Sequence, residues 1–161
     1  MSIQVDIKAS FGKRLAAIAD IDFAEAMETI GQDLASLVRL GFRLSQDPYG
    51  DAWEQLSFRK GKPLEDTGHL RQSFHADTDR NRVTVGTNVP YAAVHQYGAV
   101  IMPVNAKTLA WQVGQAWHFA KRVEIPARPM LPNESEGLPE SWSESITDIL
   151  LEHVSGNINA N

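Results

Sequence analysis

A single apolar stripe near the amino end constrains the fold more than any other feature of the sequence. Its members recur at alternating steps of four and three residues: Phe23, Met27, Ile30, Leu34, Leu37, Gly41 and Leu44. That spacing puts every member on one face of a helix, so it predicts a long helix over about residues 22–45 with one buried side. Asp22 and Glu25 have the spacing of a capping box at its start. Gly41 costs helix stability, about 1 kcal/mol relative to Ala, so we expect another backbone segment to approach it closely.

Alternating polar and apolar residues predict the strands. Residues 2–8 favour one strand, and residues 74–86 favour a hairpin. The clearest alternation runs over residues 109–125, where Gly114 and Gln115 suit a two-residue turn. The prolines that follow end any ladder of strand hydrogen bonds.

Two short helices are indicated by capping and proline signals. Asp66 or Thr67 can cap a short helix that begins immediately after them. Pro90 suits the first turn of another helix, over residues 91–97.

The C-terminal segment predicts an amphipathic helix. Pro139 suits its first turn, and we expect it to reach about Val154 and to stop at Gly156. The order of elements predicts an α+β fold, with a long N-terminal helix, a mostly antiparallel sheet from two hairpins, a short helix and this last helix. No composition break divides the chain, so we predict a single domain over residues 1–156 and a frayed tail over residues 157–161.

Composition narrows the classes of function. Of the 161 residues, 43% are hydrophobic and 22% are charged, which is ordinary for a globular protein. The absence of cysteine excludes disulfides, zinc–thiolate sites, iron–sulfur clusters and cysteine nucleophiles. Residues 1–10 lack the apolar run of a signal peptide, and no apolar run approaches the ~20 residues that cross a bilayer. We therefore expect a soluble chain that folds in a cytoplasm and has no membrane partner.

Negative charge is concentrated at the C-terminal end. Residues 130–161 contain no Lys or Arg, and their acidic residues are Glu134, Glu136, Glu140, Glu144, Asp148 and Glu152. The net charge of the whole chain is −5, so the remainder is close to neutral. The plain interpretation is a solvated helix face, and the alternative is an acidic rim or channel lining that repels a nucleic-acid backbone. Sequence-specific nucleic-acid binding is disfavoured, because such domains usually carry a basic stripe.

The sequence contains few motifs of catalytic chemistry. Asp66-Thr67-Gly68 matches the triplet of aspartic proteases, in which two carboxylates share one proton. It occurs once and no apolar strand leads into it, so we interpret it as a helix cap. The histidines lack the spacing of metal ligands, and we interpret His95 as a structural hydrogen-bonding residue. With no phosphate-binding glycine loop and no serine nucleophile elbow, we expect no catalytic residue, no metal site and no cofactor.

The aromatic residues of the second hairpin allow two interpretations. Trp111, Trp117 and Phe119 could form a stacking platform for single-stranded nucleic acid. The hairpin offers little basic charge beyond Lys121 and Arg122, so packing of these aromatic residues in the core is favoured.

Five strings in this sequence together resemble one protein family. They are Asp-Pro-Tyr-Gly at 47–50 with Trp53, Leu-Glu-Asp-Thr-Gly-His-Leu-Arg-Gln-Ser at 64–73, Val-Gly-Thr-Asn at 85–88, Tyr-Ala-Ala-Val-His-Gln-Tyr-Gly at 91–98 and Ile-Pro-Ala-Arg-Pro at 125–129. Their order and spacing resemble the virion morphogenesis, or tail completion, proteins of Mu-like and P2-like tailed bacteriophages. The resemblance covers residues 23–151.

The resemblance implies positions that build the fold and no catalytic residues. The positions that carry over are Trp53, Asp66, Thr67, Gly68, Leu70, Gly86, Asn88, Tyr91, His95, Gln96, Gly98, Pro126, Arg128 and Pro129. Those within 67–70 would set a helix start, and those within 91–98 would fix the short helix and its exit. Residues 126–129 would form a rigid loop.

The resemblance also implies a structural role at the phage neck, where a finished tail meets the DNA-filled capsid. We expect a ring, hexameric in the virion, whose partners are further copies of this chain and the neighbouring connector and tail terminator proteins. DNA would pass through the lumen without specific binding. The alternatives are a tail terminator or connector adaptor of the same neck region, a dimeric aspartic protease using Asp66, and a single-strand binder.

A head-to-tail ring needs contact surface on two different faces of each subunit. We expect the basic residues Arg59, Lys60 and Lys62 to contribute to a subunit interface, together with the loop at residues 99–108. The acidic C-terminal segment could meet such bases on a neighbour or line the lumen.

Overall fold

A computed structural model describes residues 2–6, 21–57 and 60–159. Its elements in chain order are β1 (Ser2–Asp6), α1 (Ala24–Leu44), α2 (His69–Gln72), β2 (His75–Asp79), β3 (Arg82–Gly86), α3 (Ala92–Tyr97), β4 (Ala99–Ile101), β5 (Leu109–Val113), β6 (Ala116–Ala120), β7 (Val123–Ile125) and α4 (Glu140–Asn159). The strand pairs among these residues are antiparallel. The predicted α+β class is confirmed.

Helix α1 is the apolar helix that the stripe predicted. Met27, Ile30, Leu34, Val38 and Phe42 are buried along its inner face. The helix ends at Leu44, the C-cap residue Ser45 has a left-handed backbone, and the amide of Gln46 donates to Gly41 O at 3.1 Å. A Cβ on Gly41 would lie 3.0 Å from Gln46 O, so the close backbone approach expected at this glycine is confirmed.

The predicted capping box at the start of α1 is wrong. The N-cap residue is Phe23, and it makes no side-chain capping hydrogen bond. Asp22 stands one position earlier and its Oδ1 accepts from the amide of Ala24 at 3.1 Å. The Asp22 carboxylate therefore still accepts from one free amide of the first turn, but it does so from the position before the N-cap residue.

A three-stranded sheet in the order β1-β3-β2 packs against α1. The predicted first strand and first hairpin are confirmed, although residues 7–8 lie outside the described part of the chain. Val83 and Val85 of the central strand are buried against the helix. Gly31 of α1 faces β2 so closely that a Cβ there would lie 2.9 Å from Ala76 Cβ and 2.8 Å from Thr78 Cγ2.

The second hairpin stands apart from this sheet. β4 pairs with β7 and β5 pairs with β6, which gives two short ribbons nested in sequence rather than a further part of the first sheet. The predicted turn at Gly114 is confirmed, but the return strand is interrupted at residues 121–122. The predicted loop at 99–108 is wrong at its start, because Ala99–Ile101 is a strand that pairs with β7. Residues 99–125 are called the β arm below.

Helix α4 closes the core by packing on α1. Trp142 and Ile146 are buried, and Ser145 Oγ donates to Asp33 Oδ2 of α1 at 2.7 Å. The predicted stop at Gly156 is wrong, since the helix continues to Asn159. One glycine costs about 1 kcal/mol in a helix, which is too little to end it here.

None of the helices of the described residues is both long and apolar enough to cross a bilayer.

Candidate functional site

The motif residues of distant strings converge on the segment at residues 126–133. Gln96, buried in α3, is at the centre of this cluster. Its Oε1 accepts from the amides of Met130 at 2.8 Å and Leu131 at 3.1 Å, and its Nε2 donates to Leu131 O at 2.8 Å. The side-chain amide of Gln96 thus binds this segment much as a neighbouring strand would. It pairs backbone groups of residues 130 and 131 that are not part of a sheet.

Trp53 holds the same segment from the other side. Its Nε1 donates to Pro129 O at 2.9 Å, and its ring makes an edge contact with Phe42 of α1, with centroids 5.4 Å apart. The side chain is buried and belongs to the hydrophobic core. Trp53 therefore ties the proline-rich segment directly to the long helix.

Arg128 is turned inward, where it ties the segment to the chain beside Trp53. Its Nε donates to Glu54 O at 2.8 Å, and its side chain is buried. Burial lowers the pKa of Arg128 and the nearby Glu54 carboxylate opposes that change. The guanidinium of Arg128 therefore links two loops through hydrogen bonds to backbone oxygens.

Tyr49 closes the far end of the cluster. Its hydroxyl accepts from the amide of Asn133 at 3.0 Å and donates to Gly137 O at 2.7 Å. Asp47 fixes the loop that carries it, because Asp47 Oδ1 accepts from the amides of Tyr49 at 2.8 Å and Asp51 at 2.9 Å. Sequence reasoning quoted the Asp-Pro-Tyr-Gly string for the resemblance but missed Tyr49 as a site residue.

His95 contributes its backbone to the cluster. His95 O accepts from the amide of Arg128 at 2.6 Å, and the imidazole meets the ring of Tyr91 edge-on at 6.1 Å. Its Nδ1 is buried with no hydrogen-bond partner among the described residues, so the ring is not the hydrogen-bonding group that the sequence suggested. Burial lowers the pKa of His95, and the positive charge of Arg128 lowers it further. The neutral imidazole is therefore favoured at this position.

Gly98 allows the chain to leave α3 against the proline-rich segment. Its φ is 73° and its ψ is 167°, a conformation that only glycine adopts without strain. A Cβ there would lie 3.0 Å from both Ala127 N and Ile125 O. The predicted role of Gly98 at the helix exit thus has a steric cause.

The motif string at residues 64–73 builds α2 and the turn before it. The N-cap of α2 is the left-handed Gly68, not Asp66 or Thr67 as the sequence suggested. Thr67 Oγ1 accepts from the amide of His69 at 3.3 Å, and Leu70 is buried in the core. Asp66 is exposed.

The Val-Gly-Thr-Asn string is joined to the end of α2 by hydroxyls. Ser73 Oγ lies 2.6 Å from Thr87 Oγ1, which also accepts from the amide of Val89 at 3.2 Å. Gly86 is buried at the end of β3, whereas Asn88 is exposed. Thr87 is the residue of this string that sequence reasoning missed.

The predicted basic interface residues are only partly described. Lys60 is exposed, and Lys62 Nζ donates to Arg43 O at 2.8 Å, so Lys62 also braces the end of α1. Arg59 lies outside the described residues. The interface role of this basic stretch stays a prediction.

Packing of the hairpin aromatic residues in the core, as the sequence favoured, is wrong. Trp117 is 61% exposed and Phe119 is 66% exposed. Trp111 is half-buried and stacks on His118 across the ribbon, with ring centroids 5.6 Å apart. The alternation predicted the strands correctly but not what covers their faces.

The cluster as a whole holds separate loops of the chain together. The polar groups of Tyr49, Trp53, Gln96 and Arg128 bind backbone atoms of their own chain. Among residues 2–6, 21–57 and 60–159, no group of three or more His, Asp or Glu side chains could hold a metal ion.

Comparison with known proteins gives two similarities. The sequence matches the model of the phage virion morphogenesis family over residues 6–155. Over 108 residues it is 36% identical to a Haemophilus influenzae protein named Mu-like prophage FluMu G protein 2, covering 67% of this chain and 64% of that protein. The matched stretch thus spans less than two thirds of the length of that relative. No solved structure is significantly similar.

Proposed function

The chain belongs to the phage virion morphogenesis family, and from that premise we propose that it joins the tail to the DNA-filled capsid as a tail completion component of the virion neck. The family inferred from the five strings is confirmed, and with it a structural role in the phage particle. The position at the neck is our proposal.

The observation that supports this proposal is that the motif side chains bind the backbone of their own chain. Gln96, Trp53 and Arg128 are motif residues with polar side chains, and their polar atoms bind backbone groups of the chain itself. Such an arrangement fixes the shape of a scaffold and presents little for a substrate. We therefore propose that the protein works through its surfaces and catalyses no reaction.

A ring of identical subunits is the assembly that best suits such a scaffold. A head-to-tail contact joins two different surfaces of one chain, and it closes into a ring when the rotation per subunit divides a full turn. We propose a hexameric ring whose other partners are the neighbouring connector and tail terminator proteins. The charge distribution supports this, because one end of the chain is strongly acidic and the rest is nearly neutral.

The acidic segment also suits a passage for DNA. Residues 130–161 carry no Lys or Arg, so wherever they face the lumen they would repel phosphates and let the duplex slide. We therefore propose that DNA passes through the lumen without being bound specifically.

The test is to remove the gene and view the particles by negative-stain electron microscopy. We expect DNA-filled heads and finished tails that remain separate, and restoration of joined particles when the gene is supplied in trans. Joined, infectious particles without the protein would contradict the proposal.

A tail terminator or connector adaptor is the alternative assignment within the same neck region. Removal would then leave tails of uncontrolled length, or heads that lose their DNA, instead of normal heads beside normal tails. The same micrographs therefore distinguish the assignments.

A further inference from the structure

The β arm exposes aromatic surface that the described residues leave uncovered. Trp117 and Phe119 lie two residues apart on one face of β6, with ring centroids 6.5 Å apart. Across the ribbon they are paired with Gln112 and Ala110, which are also exposed. No residue from 97 to 127 is buried, a stretch that the structure describes throughout.

Such a ribbon needs a covering surface. A two-stranded ribbon is marginally stable in water unless one face packs against something else. Two large aromatic side chains exposed side by side are also typical of a protein–protein contact. None of the described residues buries these two rings, so they are available for contact with a second molecule.

Charge indicates which molecule that is. Residues 99–125 carry Lys107, Lys121 and Arg122 against the single acid Glu124, which pairs with Arg122 at 3.1 Å. The arm is therefore basic in a chain whose net charge is −5. Lys121 stands two residues beyond Phe119, next to the aromatic pair.

A surface of opposite charge lies on α4. Glu144, Asp148, Leu151 and Glu152 are spaced by four, three and one residues and share the exposed side of the helix. Leu151 is 59% exposed in the middle of these acids, and no Lys or Arg follows residue 129. This surface, called the acidic face below, therefore combines an exposed apolar side chain with a cluster of negative charges.

A groove continues the acidic face towards α1. It is lined by apolar side chains and backbone from both helices and from the loops between them, including Leu37, Leu40, Pro48, Met130 and Trp142. Ser141 also lines it and lies on the same side of α4 as Glu144. The groove therefore adds apolar surface at the Ser141 end of α4, about 15 Å along the helix from Leu151.

We propose that the β arm of one copy docks through Trp117 and Phe119 on the acidic face of α4 in a second copy. The inference deepens the proposed function and rests on it for the ring, because it names the two different surfaces that a head-to-tail contact requires. The contact combines buried aromatic anchors with charge complementarity at its edge.

The absence of native cysteine allows a direct test by disulfide cross-linking. Full-length Trp117→Cys and Leu151→Cys variants are mixed at high concentration under mild oxidation. We expect a cross-linked heterodimer of the two variants. An Asp77→Cys variant, at an exposed position of β2, is the matched control and should not cross-link to Leu151→Cys.

Charge reversal adds a second readout that keeps Trp117 in place. Here Phe119→Cys replaces Trp117→Cys as the partner of Leu151→Cys. Adding Lys121→Glu to the Phe119→Cys variant should lower the yield of the cross-linked heterodimer several-fold. Adding Asp148→Lys to the Leu151→Cys partner should restore it. Equal yields in all combinations would overturn the proposed charge pairing.

The outcomes separate this inference from the proposed ring. The double variant Trp117→Cys/Leu151→Cys should give a ladder of cross-linked species, which supports both. Species that stop at the dimer would support docking of the arm on α4 but contradict the ring. Cross-linking only between arms, or none between arm and helix, would overturn the inference and leave the arm to a different virion protein.

Discussion

The side chain of Gln96 binds the backbone of Leu131 in both directions, donating from Nε2 to its carbonyl at 2.8 Å and accepting at Oε1 from its amide at 3.1 Å. The two residues are 35 positions apart in sequence. This pair fixes the proline-rich segment against α3, and with Trp53 and Arg128 it makes the shape of the scaffold depend on a few buried polar side chains.

Replacing Gln96 by Met should destabilise the fold by at least about 2 kcal/mol. The variant keeps the volume but leaves the amides of Met130 and Leu131 and the carbonyl of Leu131 without their partner, and each buried unsatisfied group costs about 1–3 kcal/mol. Urea unfolding followed by tryptophan fluorescence measures the change. Tyr97→Met is the matched control on the same helix, since Tyr97 is 70% exposed and its loss should cost less than about 0.5 kcal/mol. Equal stability of the two variants would refute the role given to Gln96.

Gly98→Ala should destabilise the protein by about 1–3 kcal/mol because the backbone at this position is one that side chains rarely adopt. The added Cβ would also press on Ala127 N and Ile125 O, each 3.0 Å away. Gly137→Ala is the control: its φ is 75°, close to the 73° of Gly98, but nothing lies within 4 Å of the added Cβ. We expect thermal melting to show a clearly larger loss for Gly98→Ala. A loss no greater than that of the control would mean that the approach of the segment does not constrain this residue.

Two helix glycines should respond to alanine with opposite signs. Gly156→Ala in α4 adds a Cβ in open space and should stabilise the fold by up to about 1 kcal/mol through helix propensity. Gly31→Ala in α1 adds a Cβ within 2.8 Å of Thr78 Cγ2 and should destabilise it by about 1–3 kcal/mol through overpacking. Chemical unfolding of both variants checks the sign. Stabilisation by Gly31→Ala would show that α1 and β2 are less closely packed than described.

Acidification should weaken the fold through His95. Burial and the charge of Arg128 lower the pKa of His95 below the 6.5 of an unfolded histidine. As the pH falls through 6.5 the unfolded chain takes up a proton that folded His95 does not, so the stability present above this pH is lost between 6.5 and the lower folded-state pKa.

The measurement is the urea midpoint at pH values on both sides of this window, for the wild type and for His95→Gln. The wild type should lose more stability on acidification than the variant, because the variant has no imidazole to protonate. Parallel pH profiles would show that His95 does not contribute to the acid sensitivity.

The long helix and the strands were predictable because their signals are local. The steps of four and three residues between Phe23 and Leu44 are set by helix geometry itself, and the alternation over residues 109–125 by the pleat of a strand. The helix caps were less predictable, since Asp22 and Thr67 each bond one free amide from a position that the cap patterns do not describe. The continuation of α4 beyond Gly156 reflects the small cost of one glycine against an established helix.

The cluster around residues 126–133 could be predicted only in part. The motif strings named Trp53, Gln96 and Arg128, but nothing local says that side chains 34 or 76 residues away from this segment bind its backbone. The exposure of Trp117 and Phe119 was missed for a related reason. Alternation indicates that a ribbon has two faces, whereas what covers each face depends on where the ribbon sits in the fold and in the assembly.

The measurement that most directly tests the account is a cryo-electron microscopy reconstruction of the neck of the intact phage particle. The account predicts a closed ring of copies of this fold between the capsid connector and the tail. Density for this chain elsewhere in the particle, or its absence from the finished virion, would contradict the proposed role at the head–tail junction.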